Sequence, residues 1–153
     1  MKKLFILRHG YAQNARLKSP DRERELTQEG QKVLQARSAE FKKNLANLDV
    51  IFCSPATRTQ QTANIVLKAI ANNMLNIQNQ AFIYECDAQD LLFFLQELDN
   101  QYNQVMIVGH NPTLSQFATQ FYHRPIHLEP GDLLSLTFDI ETWQDLTFSC
   151  KLR

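Results

Sequence analysis

The residues best suited to chemistry in this chain fall where short apolar runs stop. Arg8-His9-Gly10 follows Leu4-Phe5-Ile6-Leu7, and Gly109-His110 follows Val105-Met106-Ile107-Val108. A third run, Asp49-Val50-Ile51-Phe52-Cys53, ends in Ser54-Pro55, with Arg58 just beyond. A guanidinium is a rigid fork of N–H donors that matches a tetrahedral oxyanion. An imidazole is a nitrogen nucleophile or proton carrier near neutral pH. Glycine lets the backbone turn and approach a ligand closely. Arg8, Arg58, His9 and His110, with Arg24 from the polar stretch Tyr11–Glu25, would together suit a doubly charged oxyanion, with phosphate the leading candidate. Taken alone, Arg8-His9-Gly10 fits a strand end with a solvated arginine and a capping histidine equally well.

The oxyanion reading depends on the elements that would bring these groups together. Four-residue apolar runs without polar alternation read as strands buried on both faces. In an open α/β sheet, ligands bind beyond the carboxyl ends of the strands. Parallel, adjacent strands would therefore gather the cations at one rim, beside the positive end of at least one helix. Tyr11–Glu25, with Gln13, Asn14, Arg16, Lys18, Ser19 and Asp21, has no period and reads as a long loop. Thr27 is an N-cap candidate for one helix carrying Leu34, Phe41, Leu45 and Leu48. Gly30 in its first turn predicts a segment passing close by. Pro55 suits the start of a helix running to about Asn72, with Ala63, Val66, Leu67 and Ile70 as its stripe. Asn72–Gln80 reads as a connector, and Ala81-Phe82-Ile83-Tyr84 as another strand, ending in Glu85. Asp87 would cap a helix with Ala88, Leu91, Leu92, Leu95 and Leu98 inward, Phe93 and Phe94 widening its buried face. Asn111-Pro112 opens a further helix with Leu114, Phe117, Ala118 and Phe121 inside. Alternation over Leu134–Ile140 and Leu146–Leu152 reads as an antiparallel hairpin. The expected fold is α/β: a three-layer sandwich with a mostly parallel central sheet and a C-terminal antiparallel hairpin, in one domain over 1–153.

Composition narrows the partners. Sixteen Lys and Arg against sixteen Asp and Glu leave no net charge, which argues against a nucleic-acid or anionic-membrane binder. Any cationic patch must be local. The apolar run after Met1-Lys2-Lys3 is too short for a signal peptide, and no stretch approaches the ~20 apolar residues of a membrane span. Cys53, Cys86 and Cys150 are odd in number and lack metal-like spacing, so a reducing, cytoplasmic setting is expected. The oligomeric state is not indicated.

Several motifs in one order carry a family resemblance. Arg8-His9-Gly10 resembles the nucleophile motif of the histidine phosphatase superfamily, which also holds the phosphoglycerate mutases. Asp21 through Arg24, with Leu26, Thr27 and Gly30, resembles a segment typical of its small SixA-type phosphohistidine phosphatases. Ser54-Pro55-Ala56-Thr57-Arg58 with Gln61-Thr62 is similar to the second arginine motif. Gly109-His110-Asn111-Pro112-Thr113-Leu114 is similar to the second histidine motif. The resemblance runs from Lys3 to about Trp143. Glu25 departs from it by standing where that branch usually has proline. Tyr11 departs by following the nucleophile motif where many relatives carry a charged residue.

The resemblance implies a reaction. His9 would attack phosphorus in line and form a phosphohistidine intermediate that water hydrolyses. Arg8, Arg58 and His110, with Arg24 behind them, would bind the equatorial oxygens. No metal and no cofactor is implied. The implied substrate is a phosphohistidine on a partner protein, because only 52 positions separate Arg58 from His110 and leave no room for a lid subdomain. Glu85 is the one acid placed to protonate a poorer leaving group. A small-molecule phosphomonoesterase of the phosphoglycerate-mutase-like type is the first alternative, and a non-catalytic phosphate-binding adaptor the second.

Rival readings of the same residues are weaker. Cys53 through Arg58 superficially resembles a cysteine phosphatase loop, but it is one residue short and contains a proline, so Cys53 reads as a core thiol. Arginines beside His9 and His110 would repel a metal cation. His123 and His127 read as surface residues, and Trp143, Phe93 and Phe94 as core.

Overall fold

The computed structural model describes residues 1–15 and 20–153, so the part of the expected loop at 16–19, with Arg16, Lys18 and Ser19, lies outside the described residues. The apolar runs become strands: β1 Lys2–Arg8, β2 Val50–Cys53 and β4 Gln104–Gly109, joined at the edges by β3 Ile77–Asn79 and β5 Leu133–Phe138. The order across the sheet is β3-β2-β4-β1-β5. Every pairing is parallel except that of β1 with β5. The register sets Cys53 beside Val108 and Arg8 beside Gly109. The carboxyl ends of β2, β4 and β1 are therefore level with one another, as the rim requires.

Side chains alternate across a strand, so a run buried on both faces feeds two cores. Leu4, Ile6, Val50, Phe52, Val105 and Ile107 pack with α4 Ala88–Gln96 and α5 Thr113–Tyr122. Phe5, Leu7, Ile51, Cys53, Met106 and Val108 pack on the other face with α1 Gln28–Gln35, α2 Ser38–Asn44 and α3 Thr57–Ile70. That makes three layers. Each such side chain, fully buried, contributes about 1.5–3 kcal/mol. Lys2 is buried too, its Nζ donating to the carbonyls of Asn100 at 2.8 Å and Tyr102 at 2.9 Å and to Asn103 Oδ1 at 3.1 Å. It pins the start of β1 to the turn before β4.

Local expectations hold where the interaction is local. Thr27 caps α1 by accepting from the Gly30 amide at 2.9 Å. Asp87 caps α4 through a reciprocal bond with Asp90. Gly30 is needed because a Cβ there would sit 2.4 Å from the Tyr11 carbonyl oxygen.

Several elements differ from the sequence reading. The helix expected from Thr27 to Leu48 is two helices, broken where Ser38 Oγ donates to the Gln35 carbonyl and the Arg37 guanidinium reaches the Gly131 carbonyl. Ala81–Tyr84 is a 3-10 turn, not a strand, and only Ile83 of the four is buried. Ile83 packs where Gly109 has no side chain: a Cβ on Gly109 would be 3.2 Å from its Cγ2. The edge strand lies instead in the expected connector, at Ile77–Asn79. Phe93 is 56% exposed, whereas Phe94 is half-buried against Phe52 and Trp143 is fully buried. The antiparallel partner of β5 is β1; the returning arm of the expected hairpin meets β5 only at the bridge Phe138–Leu152. A 3-10 turn at Trp143–Asp145 buries Trp143 and turns the chain, and the alternating apolar residues Leu146, Phe148, Cys150 and Leu152 pack on the α4–α5 core.

Candidate active site

The level strand ends bring Arg8, His9, Arg58 and His110 together, and the loop carrying Asp21 and Arg24 closes against them. Beyond β1 the backbone stays in register: the His9 amide donates to the Gly109 carbonyl at 3.2 Å. Gly10 donates to Thr62 Oγ1 of α3 at 3.2 Å, and a Cβ on it would lie 2.8 Å from Leu34 Cδ1. This fixes the peptide next to the imidazole.

His9 is 8% exposed, and its Nδ1 lies 2.7 Å from the Gly10 carbonyl oxygen. A carbonyl only accepts, so Nδ1 carries the proton and Nε2 keeps its lone pair. Burial, followed by the charges of Arg58, Arg8 and Arg24, lowers the His9 pKa from 6.5 to about 4 against the pull of the Gly10 hydrogen bond. At neutral pH the ring is uncharged.

His110 stands 5.4 Å from His9, centroid to centroid. Its Nδ1 is 3.3 Å from Arg58 Nη2 and its Nε2 is 2.7 Å from Ser54 Oγ. A guanidinium only donates, so Nδ1 accepts and Nε2–H donates to the serine. Burial first, then Arg58 and His9, lowers the His110 pKa to about 3.

The arginines are held by acceptors distant in sequence. Arg8 Nη1 donates to the Leu128 carbonyl at 2.8 Å, which also receives Asn111 Nδ2 at 2.8 Å, tying the ends of β1 and β4 to one atom. Arg58 donates through Nη1 to the Asp21 carbonyl at 2.7 Å and through Nη2 to Asp21 Oδ2 at 3.2 Å. Arg24 Nε donates to Asp21 Oδ1 at 2.9 Å, and its Nη1 to the Gln13 carbonyl at 2.7 Å. The Nε atoms of Arg8 and Arg58 are buried and without an acceptor among the described residues. Donors left in that state are costly.

Asp21 is the hub of the loop. Tyr84 Oη donates to its Oδ2 at 2.5 Å, with the Tyr84 ring edge-on to His110 at 5.6 Å and the Arg22 guanidinium 4.8 Å above that ring. The Tyr84 hydrogen bond, with Arg58 and Arg24, lowers the Asp21 pKa to about 2, so it is an anion and no proton donor at neutral pH. The same bond raises the pKa of Tyr84. Sequence reasoning placed Asp21 only through the family resemblance and left Tyr84, Ser54 and the Leu128 carbonyl without a site role. The one local signal was an aromatic residue just ahead of Glu85.

The remaining candidates fall elsewhere. Glu85 is exposed and lines a neighbouring pocket; among the described residues no hydrogen bond or ion pair joins its carboxylate to His9, Arg58 or His110. Cys53 is fully buried and its thiol is pushed by burial up to about 12, which keeps it protonated and unreactive. His123 and His127 are exposed. Among the described residues no group of three or more His, Cys, Asp or Glu is placed to hold a metal ion, and no helix is long and apolar enough to cross a membrane.

The fold and rim define an α/β protein with arginines and histidines gathered at the carboxyl ends of parallel strands. The model of the histidine phosphatase superfamily (branch 1) matches residues 4–92, more than half of the chain, and the chain belongs to that superfamily. Solved structures share the fold. A Nakamurella multipartitia protein assigned as phosphohistidine phosphatase SixA superposes with a TM-score of 0.80 at 22% identity, over 99% of this chain and 93% of its own. The protein histidine phosphatase SixA complexed with tungstate gives 0.77 at 23% identity, over 90% and 88%. An Escherichia coli protein assigned as an alpha-ribazole-5'-P phosphatase gives 0.74 at 16% identity, over 100% and 96%. No curated protein matches.

Proposed function

We propose that this chain is a metal-independent, cofactor-free phosphatase that removes the phosphoryl group from a phosphorylated histidine of a partner protein in the cytoplasm. The observation that carries the proposal is the state of His9: Nδ1–H held by the Gly10 carbonyl, Nε2 without a hydrogen bond among the described residues, and the ring neutral to about pH 4. Nε2 attacks phosphorus as the bond to the leaving nitrogen breaks, and the substrate ring, already protonated on its other nitrogen, departs as neutral imidazole. The phosphoryl group passes to His9, and water then attacks phosphorus, returning Nε2 as the leaving group. Arg8 and Arg58 stabilise the equatorial oxygens. Arg24 acts from behind, aligned by Asp21. His110, 5.4 Å from His9, completes the proposed phosphoryl site. The working groups span residues 8 to 110, so the proposal takes 1–153 as one functional domain.

The protein substrate is supported by how the chain between Arg58 and His110 is spent. Those positions form α3, β3, a 3-10 turn, α4 and β4, all parts of the sandwich. None is left over for a cover that would enclose a small molecule. The imidazole of phosphohistidine also leaves more readily than an alkoxide, and Asp21, ionised to about pH 2, cannot supply the proton an alkoxide needs. Glu85 is proposed as the acid only for phosphoester substrates, which requires its exposed side chain to turn toward the rim. A small-molecule phosphomonoesterase would depend on that acid, and a phosphate-binding adaptor would bind without turnover. The deciding experiment compares phosphate release from a phosphohistidine peptide, 4-nitrophenyl phosphate and a sugar phosphate. The phosphopeptide should give the highest kcat/KM; preference for the sugar phosphate would overturn the protein-substrate reading.

A further inference from the structure

A pocket of about 400 Å³ lies beside the rim, lined by Phe82, Glu85, Cys86, Asp90, Phe93 and Phe94. Its wall is the segment whose inner side forms the active site. Tyr84 meets His110 edge-on, and the Cys86 carbonyl accepts from Thr113 Oγ1 at 2.5 Å, three residues past His110. The floor is a packed aromatic pair: Phe82 and Phe94 stand 4.9 Å apart, and Phe94 packs edge-on to Phe52 of β2 at 4.9 Å. Phe93 rises from α4 at the lip, 56% exposed.

The lip is acidic. Glu85 and Asp90 line the pocket and Asp87 lies between them in the chain; all three are exposed, and none forms an ion pair among the described residues. Asp87 and Asp90 also cap α4, which leaves Glu85 as the carboxylate without a structural duty. The Cys86 thiol is pushed up to about 11 by burial and then by the charges of Asp90 and Asp87, in keeping with a negative field inside the pocket. In a chain with no net charge, a cationic rim thus adjoins an apolar pocket with an acidic lip.

We propose that this pocket docks an apolar side chain flanked by lysine or arginine on the phosphohistidine-bearing protein. The rim takes the phosphoryl group while the pocket takes the neighbouring side chains. Opposite signs side by side select a partner whose own charges are arranged in the complementary order. An exposed phenylalanine above a packed aromatic floor supplies the apolar contact. The inference rests on the proposed phosphohistidine-protein activity and adds the partner's chemistry to it.

The test uses the full chain and chemically phosphorylated peptides, each with one phosphohistidine. A Leu-Lys pair is placed at successive positions on either side of it, and each peptide has a counterpart with Ala-Glu. Free phosphohistidine reports basal turnover. At the position that spans rim to pocket, the Leu-Lys peptide should exceed its counterpart about tenfold in kcat/KM, which corresponds to about 1.4 kcal/mol. Phe93→Ala should remove most of that gap and Phe93→Arg all of it, with free phosphohistidine turned over as before. Equal rates for both members at every position, or a gap that survives Phe93→Arg, would overturn the docking proposal while leaving the phosphatase reading intact. Inertness of free phosphohistidine and every peptide would overturn both.

Discussion

At the scale of single residues, the chemistry turns on which nitrogen of His9 holds the proton. The Gly10 carbonyl holds Nδ1–H, so Nε2 is the nitrogen left to act as nucleophile in the proposed reaction. The imidazole resonances of His9, identified by their loss in His9→Ala, should titrate near pH 4 rather than near 6.5. A midpoint near 6.5 would mean that burial and the arginines do not act on the ring as described. Arg8→Ala and Arg58→Ala should each lower kcat/KM by about 10²-fold or more, because a hydrogen bond to a charged group contributes about 1.5–3 kcal/mol and each guanidinium offers several. Retention of full activity by either variant would remove that arginine from the phosphoryl site.

At the scale of elements, the loop carrying Asp21 holds Arg24 and Arg58, and the turn carrying Tyr84 holds that loop through Asp21. Asp21→Asn keeps the size of the side chain and removes the charge that Arg24 and Arg58 share. It should lower kcat/KM roughly tenfold on any phosphoramidate, in line with the loss of about one charge-assisted hydrogen bond. A rise in kcat/KM instead would show that the carboxylate competes with the phosphoryl group for Arg58. Gly30→Ala drives a Cβ onto the Tyr11 carbonyl, so urea unfolding should report a loss of about 1–3 kcal/mol. That glycine and its Thr27 cap were legible in the sequence, because capping acts within a few residues. Ala81–Tyr84 was not: four apolar residues look alike in a strand and in a 3-10 turn, and the deciding contact is Ile83 over Gly109, on another element. Phe93 misled for a similar reason, since a doubled phenylalanine implies burial on both sides and the sequence does not reveal that the second face meets no neighbour.

At the scale of the molecule, the fold follows from apolar runs that feed two cores, a pattern plain in β1, β2 and β4. The candidate site was legible for the same reason: Arg8, His9 and His110 sit where a run stops, and Arg58 lies in the first turn of the helix that follows another. The brace was not legible, because Tyr84–Asp21 spans 63 positions and Arg8–Leu128 spans 120, with no periodicity to announce either. The buried histidines also leave a mark on stability. Below about pH 6.5 the unfolded chain takes up protons that native His9 and His110 refuse until about pH 4 and 3, so stability falls as pH drops through that window. The urea midpoint should therefore fall between pH 7 and pH 4.5, and fall less in the His9→Ala/His110→Ala variant; equal falls would assign the loss to other groups.

The covalent step is the centre of the account. Enzyme mixed with labelled phosphohistidine peptide, quenched within a turnover and digested under alkaline conditions, should carry one phosphoryl group on Nε2 of His9, stable to base and lost in acid. His9→Ala should carry none. Label on Cys53, on His110 or on no residue during active turnover would contradict it.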